Sequence, residues 1–118
     1  MTTNEIANEL VSLLRAGNFD GVYDGLFHHE QVRHIEPQSP HFPELTGVKA
    51  IKEKDALMMA NIANVDSLEV GDAAVSAKHI AVPYNIAISM KDGSNLALNE
   101  IILYEVQDGK IISEQFFY

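Results

Sequence analysis

The 118-residue chain contains no cysteine. Without thiols it can form neither disulfide bonds nor thiolate nucleophiles, and zinc sites built on cysteine are excluded as well. This composition fits a protein of the reducing cytosol.

The chain also lacks long hydrophobic runs. No apolar stretch approaches the roughly 20 residues that a membrane-spanning helix needs. The segment Met1–Leu10 has neither the basic start nor the apolar stretch of a secretory signal. We therefore expect a cytoplasmic protein that is not inserted in a membrane.

Positive charge is scarce. Eight Lys and Arg residues stand against 17 Asp and Glu residues, for a net charge of −9. Such a surface repels phosphate backbones and anionic lipid headgroups. We expect neither a nucleic acid nor a membrane as a partner.

Several reaction motifs are missing. The sequence has no phosphate-binding loop, no nucleophile elbow and no metal-binding motif. His28, His29 and His34 follow no established ligand spacing. His28 and His29 are expected to end the second helix, where cations suit the helix dipole. We predict no metal site and no cofactor.

The residues that are present describe one globular domain. Hydrophobic residues make up 47% of the chain, and this length is typical of a single domain spanning residues 1–118. Thr2 and Glu5 have the spacing of a capping box at the start of a first helix. Asp20 is expected to cap a short second helix, and Thr46 a third helix over residues 47–63.

The sequence of the second half of the chain predicts strands joined by hairpins. Turn signals lie at Gly71-Asp72, at residues 91–93 and at Asp108-Gly109. Pro83 is expected to break the longest strand. The predicted strands are Val32–Glu36, Val65–Val70, Ala74–Met90, Asn95–Val106 and Lys110–Tyr118. This order predicts an α+β fold, in which a strongly curved antiparallel sheet is closed by three N-terminal helices and forms a cone-shaped barrel.

Three segments together resemble a known family. They are His34–Pro37, the run Thr46–Ile51 and the hairpin Glu105–Glu114, and the chain resembles the SnoaL-like group of the nuclear-transport-factor-2-like superfamily over nearly its whole length. The resemblance implies a cone-shaped α+β barrel with a deep apolar pocket, and often a homodimer across the outer sheet face. That superfamily includes polyketide cyclases, steroid isomerases and dehydratases, as well as proteins with no known reaction.

The chain departs from this family at the catalytic acid. The resemblance implies an acidic residue seven positions before the glycine of the Asp-Gly-Lys turn, where this chain has Ile102. Glu100 lies two residues earlier, about 7 Å away on the same strand face. Cyclase chemistry therefore becomes less favoured than binding.

Glu100 is the main candidate for acid–base chemistry. Alternation places it on an otherwise apolar or aromatic strand face, composed of Leu96, Leu98, Ile102, Tyr104 and Val106. If this face lines the cone, desolvation raises the Glu100 pKa and makes it a candidate general acid or base. If the strand is turned over, Ile101 and Leu103 point inward instead. The apolar majority favours an inward Glu100.

His34 and Glu36 form a second candidate pair, on one face of the first strand. They could form a proton relay in the pocket or lie at its rim with separate partners. We name Glu100, His34 and Glu36 as candidate catalytic residues.

Candidate ligand contacts come from aromatic and apolar positions. Tyr84 could donate its hydroxyl to a ligand carbonyl, or it could be a core tyrosine with a backbone partner. Tyr23 has the same two interpretations. Phe116 or Phe117 is expected to pair with Glu100, depending on the turn. The predicted substrate-binding residues are Tyr23, Tyr84, Ile102, Tyr104 and Phe116.

Three functions remain open at the level of sequence. The favoured one is a pocket protein that binds a small apolar or carbonyl-containing molecule, as a homodimer. The second is a cofactor-independent isomerase, cyclase or dehydratase that moves a proton next to a carbonyl. The third is a dimerisation or regulatory module whose cone is filled by side chains, including Met58 and Met59 as helix-to-sheet packing.

Overall fold

The computed structural model describes residues 1–40 and 42–118. His41, expected in a solvated loop, lies outside the described residues. The elements in chain order are α1 (Thr3–Arg15), α2 (Phe19–Gly25), β1 (Arg33–Ile35), β2 (Glu44–Thr46), α3 (Val48–Ala60), β3 (Ile62–Val70), β4 (Ala74–Val75), β5 (His79–Met90), β6 (Asn95–Gln107) and β7 (Lys110–Phe117).

The first two helices differ in how well their caps were predicted. The capping box of α1 is confirmed, because the Thr2 hydroxyl accepts from the Glu5 N–H and the Glu5 carboxylate accepts from the Thr2 N–H. The prediction for α2 was wrong by two residues. The side chain of Asn18, not Asp20, accepts the N–H of Gly21, so Asp20 lies within the first turn.

Helix α3 is shorter than predicted at both ends. It begins after Gly47, whose φ of +91° favours glycine, and no side chain caps it. Thr46 instead ends β2, a strand that the sequence analysis assigned to a loop. The helix ends at Ala60, and Ile62 in β3 already pairs with Met90.

The strands form one seven-stranded sheet in the order β2-β1-β7-β6-β5-β3, with β4 paired to β5. The hairpins β5–β6 and β6–β7 are antiparallel, as predicted. The pairing of β1 with β7 is parallel, and it lies outside the predicted hairpins. This pair joins residues 33–35 to residues 113–115, which local turn signals cannot reveal.

Pro83 does not break its strand. It pairs opposite Ile101, and its carbonyl accepts the N–H of Gly71. The predicted strand over residues 74–90 is instead interrupted at residues 76–78, between β4 and β5. The expected α+β fold is confirmed: three helices cover a curved, mostly antiparallel sheet. Within the described residues, no helix is long and apolar enough to cross a membrane.

Candidate functional site

A cavity of about 660 Å³ lies between the sheet and the three helices. Its apolar part is formed by β3, by the adjacent ends of β5 and β6, and by α3, through Ile62, Val65, Leu68, Ile86, Ile88, Leu98, Met58 and Met59. At the other end the lining is polar, through residues of β1, α3 and β7 and the residue after β1: His34, Glu36, Lys54, Asp55 and Glu114. The cavity therefore has an apolar part and a polar end.

Glu100 faces this cavity, as the alternation predicted. The residue is 5% exposed, whereas its neighbour Ile101 is 44% exposed on the opposite face. Its Oε2 atom is buried and has no hydrogen-bond partner within residues 1–40 and 42–118. Burial, together with the negative charge of Glu36, raises the pKa of Glu100 to about 7. The carboxyl group can therefore be protonated or ionised near neutral pH.

Tyr84 lies directly opposite Glu100 in the β5–β6 register. It is 6% exposed and lines the cavity. No residue in the described part of the chain hydrogen-bonds to its hydroxyl, so the expectation of a backbone partner was wrong. Burial raises its pKa above the usual tyrosine value, which keeps the hydroxyl protonated. A carboxyl oxygen and a phenol hydroxyl thus face the cavity without hydrogen-bond partners among the described residues.

His34 and Glu36 both line the cavity, but a third residue joins them. His34 Nε2 lies 3.6 Å from Glu36 Oε2, which is too long for a hydrogen bond. The Nζ of Lys54 lies 2.7 Å from that Nε2 and also donates to Oε2 of Glu36. A relay through His34 and Glu36 therefore needs Lys54.

Glu114 holds the other nitrogen of His34. Its Oε1 lies 2.7 Å from His34 Nδ1, and the two side chains are 5% and 6% exposed. Burial raises the pKa of Glu114. For His34, burial alone would lower the pKa. The hydrogen bond of His34 with Glu114 and the nearby carboxylate of Glu36 outweigh this burial and raise the pKa of His34 to about 9. The imidazole is thereby fixed in orientation and favoured as a proton acceptor.

Glu36 is the outer end of this cluster. Its Oε1 accepts a hydrogen bond of 2.8 Å from the Tyr118 hydroxyl. Burial opposes ionisation of Glu36, but the nearby His34 imidazole and the hydrogen bonds from Lys54 and Tyr118 lower the Glu36 pKa to about 2. A continuous chain of side chains thus runs from buried Glu114 to partly exposed Tyr118.

Tyr23 lines the cavity from α2 and donates its hydroxyl to Asp55 on α3. Burial raises the pKa of Asp55, although the bond from Tyr23 opposes that rise. Since this hydroxyl already has a protein acceptor, Tyr23 is less available to a ligand than Tyr84.

The remaining predicted contacts, Ile102, Tyr104 and Phe116, all line the cavity. Phe116 pairs with Ile102, and Phe117 pairs with Ile101 on the outer face. A register shift at Glu105/Val106 produces this pairing. The expectation that Phe116 or Phe117 pairs with Glu100 was therefore wrong.

Sequence reasoning missed Lys54, Asp55 and Glu114. Lys54 lies three residues after buried Ile51 on α3, and Glu114 is two residues from Phe116 on β7. Helical and strand periodicity could therefore have assigned both to inner faces.

Two histidines and two methionines lie elsewhere than predicted. His28 and His29 lie beyond the last residue of α2, Gly25, so they do not end that helix. His28 Nδ1 accepts from the Gln31 N–H, while His29 contacts the carbonyl of Asp24. Met58 and Met59 are 42% and 59% exposed, so they border the cavity rather than fill the core.

Comparison with known proteins places this geometry in a wider group. The family model for the SnoaL-like domain matches residues 1–118. A proposed SnoaL-like polyketide cyclase from Mesorhizobium loti is 25% identical, with 100% of both chains covered and a TM-score of 0.92. No curated protein matches the sequence.

Two further structures share the fold at lower identity. One is a nuclear-transport-factor-2-like protein of unknown function from Burkholderia pseudomallei, with 17% identity and a TM-score of 0.78. The alignment covers 100% of this chain and 92% of the Burkholderia chain. The other is a protein with a ketosteroid-isomerase-like fold from Catenulispora acidiphila, solved with trimethylamine, with 20% identity and a TM-score of 0.74. The alignment covers 99% of this chain and 87% of the Catenulispora chain.

Proposed function

The chain belongs to the SnoaL-like domain family, and from this premise we propose that its cavity binds a small apolar molecule that carries a carbonyl group. The cavity volume of about 660 Å³ lies within the range of roughly 300 to 1,000 Å³ that is usual for small-molecule sites. Its mostly apolar lining would exclude water from the body of such a ligand.

One observation carries this proposal: neither Oε2 of Glu100 nor the hydroxyl of Tyr84, opposite it in the sheet, has a hydrogen-bond partner among the described residues. Buried polar groups normally have such partners, so the buried Oε2 calls for one from a ligand, and the Tyr84 hydroxyl is available to the same ligand. A carbonyl oxygen would accept a hydrogen bond from Tyr84 and a second one from protonated Glu100. The apolar part of the cavity would receive the rest of the ligand.

Proton transfer next to the ligand carbonyl is the second candidate function. It is favoured by one observation, the Glu100 pKa of about 7, because a general acid or base works best when its pKa lies near the working pH. Glu100 would remove a proton beside the carbonyl while Tyr84 stabilises the negative charge on the oxygen. Ile102, at the family's acid position, is apolar and 2% exposed, which argues against the cyclase arrangement.

A pure dimerisation module is less well supported, because the cone contains open space rather than only side chains. Homodimer formation itself remains part of the proposal. Ile101 and Phe117 pair on adjacent strands and are 44% and 48% exposed, so the outer sheet face offers an apolar surface to a second copy. We also propose a cytoplasmic location, since a chain without thiols fits the reducing cytosol.

Thermal unfolding with a panel of flat aromatic ketones tests ligand binding. A bound ketone should raise the unfolding temperature, since it stabilises only the folded state. Glu100→Gln and Tyr84→Phe should reduce the rise, whereas Glu69→Gln, on exposed β3, should leave it unchanged. No rise with any ketone at millimolar concentration would contradict the proposal.

Deuterium exchange separates binding from proton transfer. An enzyme of the second kind should exchange the α-hydrogens of a bound ketone with D₂O, detected by mass spectrometry, and Glu100→Gln should abolish that exchange. Binding of the ketone without exchange would support ligand binding and contradict proton transfer.

A further inference from the structure

Lys54, His34 and Glu114 form a row of hydrogen-bonded side chains at the polar end of the cavity. The Nζ of Lys54 lies 2.7 Å from Nε2 of His34, and Nδ1 of His34 lies 2.7 Å from Oε1 of Glu114. The three side chains are only 3%, 6% and 5% exposed. All three residues line the cavity.

The order of these groups is that of an activated nucleophile. A nucleophile within hydrogen-bond reach of a base, which is itself oriented by a third group, is the arrangement that activates serine, cysteine and lysine side chains. Here an amine meets an imidazole, and a carboxylate holds the imidazole on its far side. Lysine is the nucleophile that reacts with carbonyl groups to form imines.

The short contact between Lys54 and His34 restricts their protonation. A hydrogen bond between two nitrogens needs one donor and one acceptor, so an ammonium and a doubly protonated imidazole cannot face each other at 2.7 Å. The two groups therefore share one proton between them. With Nδ1 of His34 hydrogen-bonded to Glu114, Nε2 is the nitrogen that can accept a proton from Lys54.

Glu36 does not prevent the transfer of a proton from Lys54 to His34. Neutral Lys54 still has N–H groups to donate to Oε2 of Glu36, and Oε1 of Glu36 keeps its bond from Tyr118. The Glu36 carboxylate therefore stays hydrogen-bonded in both protonation states of Lys54.

We propose that Lys54 is a nucleophilic amine that forms an imine with aldehydes or ketones in the cavity, with His34 as its base and Glu114 as the positioning residue. This inference rests on the proposed function, because the ligand must carry a carbonyl group. It identifies the substrate class as carbonyl compounds open to attack by an amine.

The step balances without another reactant. His34 takes one proton from the Lys54 ammonium. The amine nitrogen attacks the carbonyl carbon, the carbon–oxygen π bond breaks, and a second proton passes from nitrogen to oxygen to give a neutral carbinolamine. The carbon–oxygen bond then breaks, the imidazolium returns its proton to the departing oxygen, and water leaves. Lys54 ends as a protonated imine, and His34 is neutral again.

Reductive trapping in the wild-type protein tests this proposal. Naphthaldehyde and sodium cyanoborohydride convert any imine into a stable secondary amine, which peptide mass spectrometry locates. We expect Lys54 to be alkylated roughly a hundredfold faster than exposed Lys49 of the same helix, because a base and an enclosed site assist it. Labelling of Lys54 no faster than that of Lys49 would overturn the proposal.

Two variants test the roles within the row. His34→Gln should slow the labelling of Lys54 by roughly a hundredfold without changing that of Lys49. Lys49→Arg should leave the Lys54 rate unchanged. If Lys54 reacts equally fast in His34→Gln, the assignment of His34 as the base is wrong. Because site mapping uses the wild-type protein, the main test survives even if a variant does not fold.

Naphthylmethanol distinguishes failure of this inference from failure of the proposed function. This alcohol has the shape of the aldehyde but cannot form an imine. If it raises the unfolding temperature while Lys54 remains unlabelled by the aldehyde, the pocket binds ligands and the imine proposal is wrong. If the alcohol does not bind and Lys54 does not react, both proposals fail.

Discussion

Glu100 and Tyr84 lie opposite each other in the β5–β6 register, and both turn into the cavity. Neither the Oε2 of Glu100 nor the Tyr84 hydroxyl has a partner among residues 1–40 and 42–118. A few residues away, every charged group from Glu114 to Glu36 is hydrogen-bonded. The cavity thus combines a satisfied charge cluster with two polar groups that are free to meet a ligand.

The stability of the protein should depend on pH through Glu100. Its pKa rises from 4.5 to about 7 on folding, so the folded protein holds this proton more tightly than the unfolded chain does. This contribution is greatest below pH 4.5, falls as the pH rises toward 7 and is constant above that. The loss should be about 2 kcal/mol, less than the full shift implies because the cavity is open to solvent.

Urea unfolding at pH 5 and pH 8 measures this loss. Glu100→Gln should remove it, because glutamine does not ionise, and the variant should be more stable than the wild type at pH 8. Glu69→Gln, on the exposed part of β3, should keep the wild-type dependence. Equal pH dependence of the wild type and Glu100→Gln would show that Glu100 is not the group responsible.

Loss of Lys54 should destabilise the fold strongly. Lys54→Met removes the cation from a buried cluster and leaves Glu36 without its partner, at an expected cost of about 3 to 5 kcal/mol in the free energy of unfolding. Lys52→Met is the matched control on the same helix. Its salt bridge with Asp24 is exposed, and no measurable change is expected. Similar unfolding curves for the two variants would contradict a buried charge cluster.

Tyr23 and Tyr84 should respond differently to loss of their hydroxyls. Tyr23→Phe leaves half-buried Asp55 without its donor and should cost about 1 to 3 kcal/mol in the free energy of unfolding. Tyr84→Phe breaks no hydrogen bond to a described residue and should change stability by less than about 0.5 kcal/mol. Denaturant unfolding measures both values, and a large cost for Tyr84→Phe would mean that its hydroxyl has a partner within the protein.

The outer sheet face should hold two copies of the chain together. Ile101→Asp puts a charge in the exposed apolar pair with Phe117, so it should convert a dimer into monomers. Light scattering measures the mass directly. Leu57→Asp, at an exposed site on α3, should leave the dimer intact. A wild-type protein that is monomeric at high concentration would remove this prediction.

The inner faces of the strands were predictable, because they follow a local rule. Side chains alternate along a strand, so Glu100 had to share a face with Ile102 and Tyr104. The cap of α1 was predictable for the same reason, since Thr2 and Glu5 are three residues apart. The effect of Pro83 was misjudged. Proline has no N–H, so its place in a sheet depends on whether a neighbouring strand needs a donor at that position.

By itself, the sequence determined the α+β order and the inward orientation of Glu100, which depend on residues close together in the chain, and it indicated the likeness to one family. Only the tertiary structure decided which charges meet. His34 contacts Lys54 and Glu114 across separations of 20 and 80 residues. These contacts need β1 to pair in parallel with β7 and α3 to cover the same end of the sheet. No periodicity within one element encodes such pairings, because they arise from packing between elements.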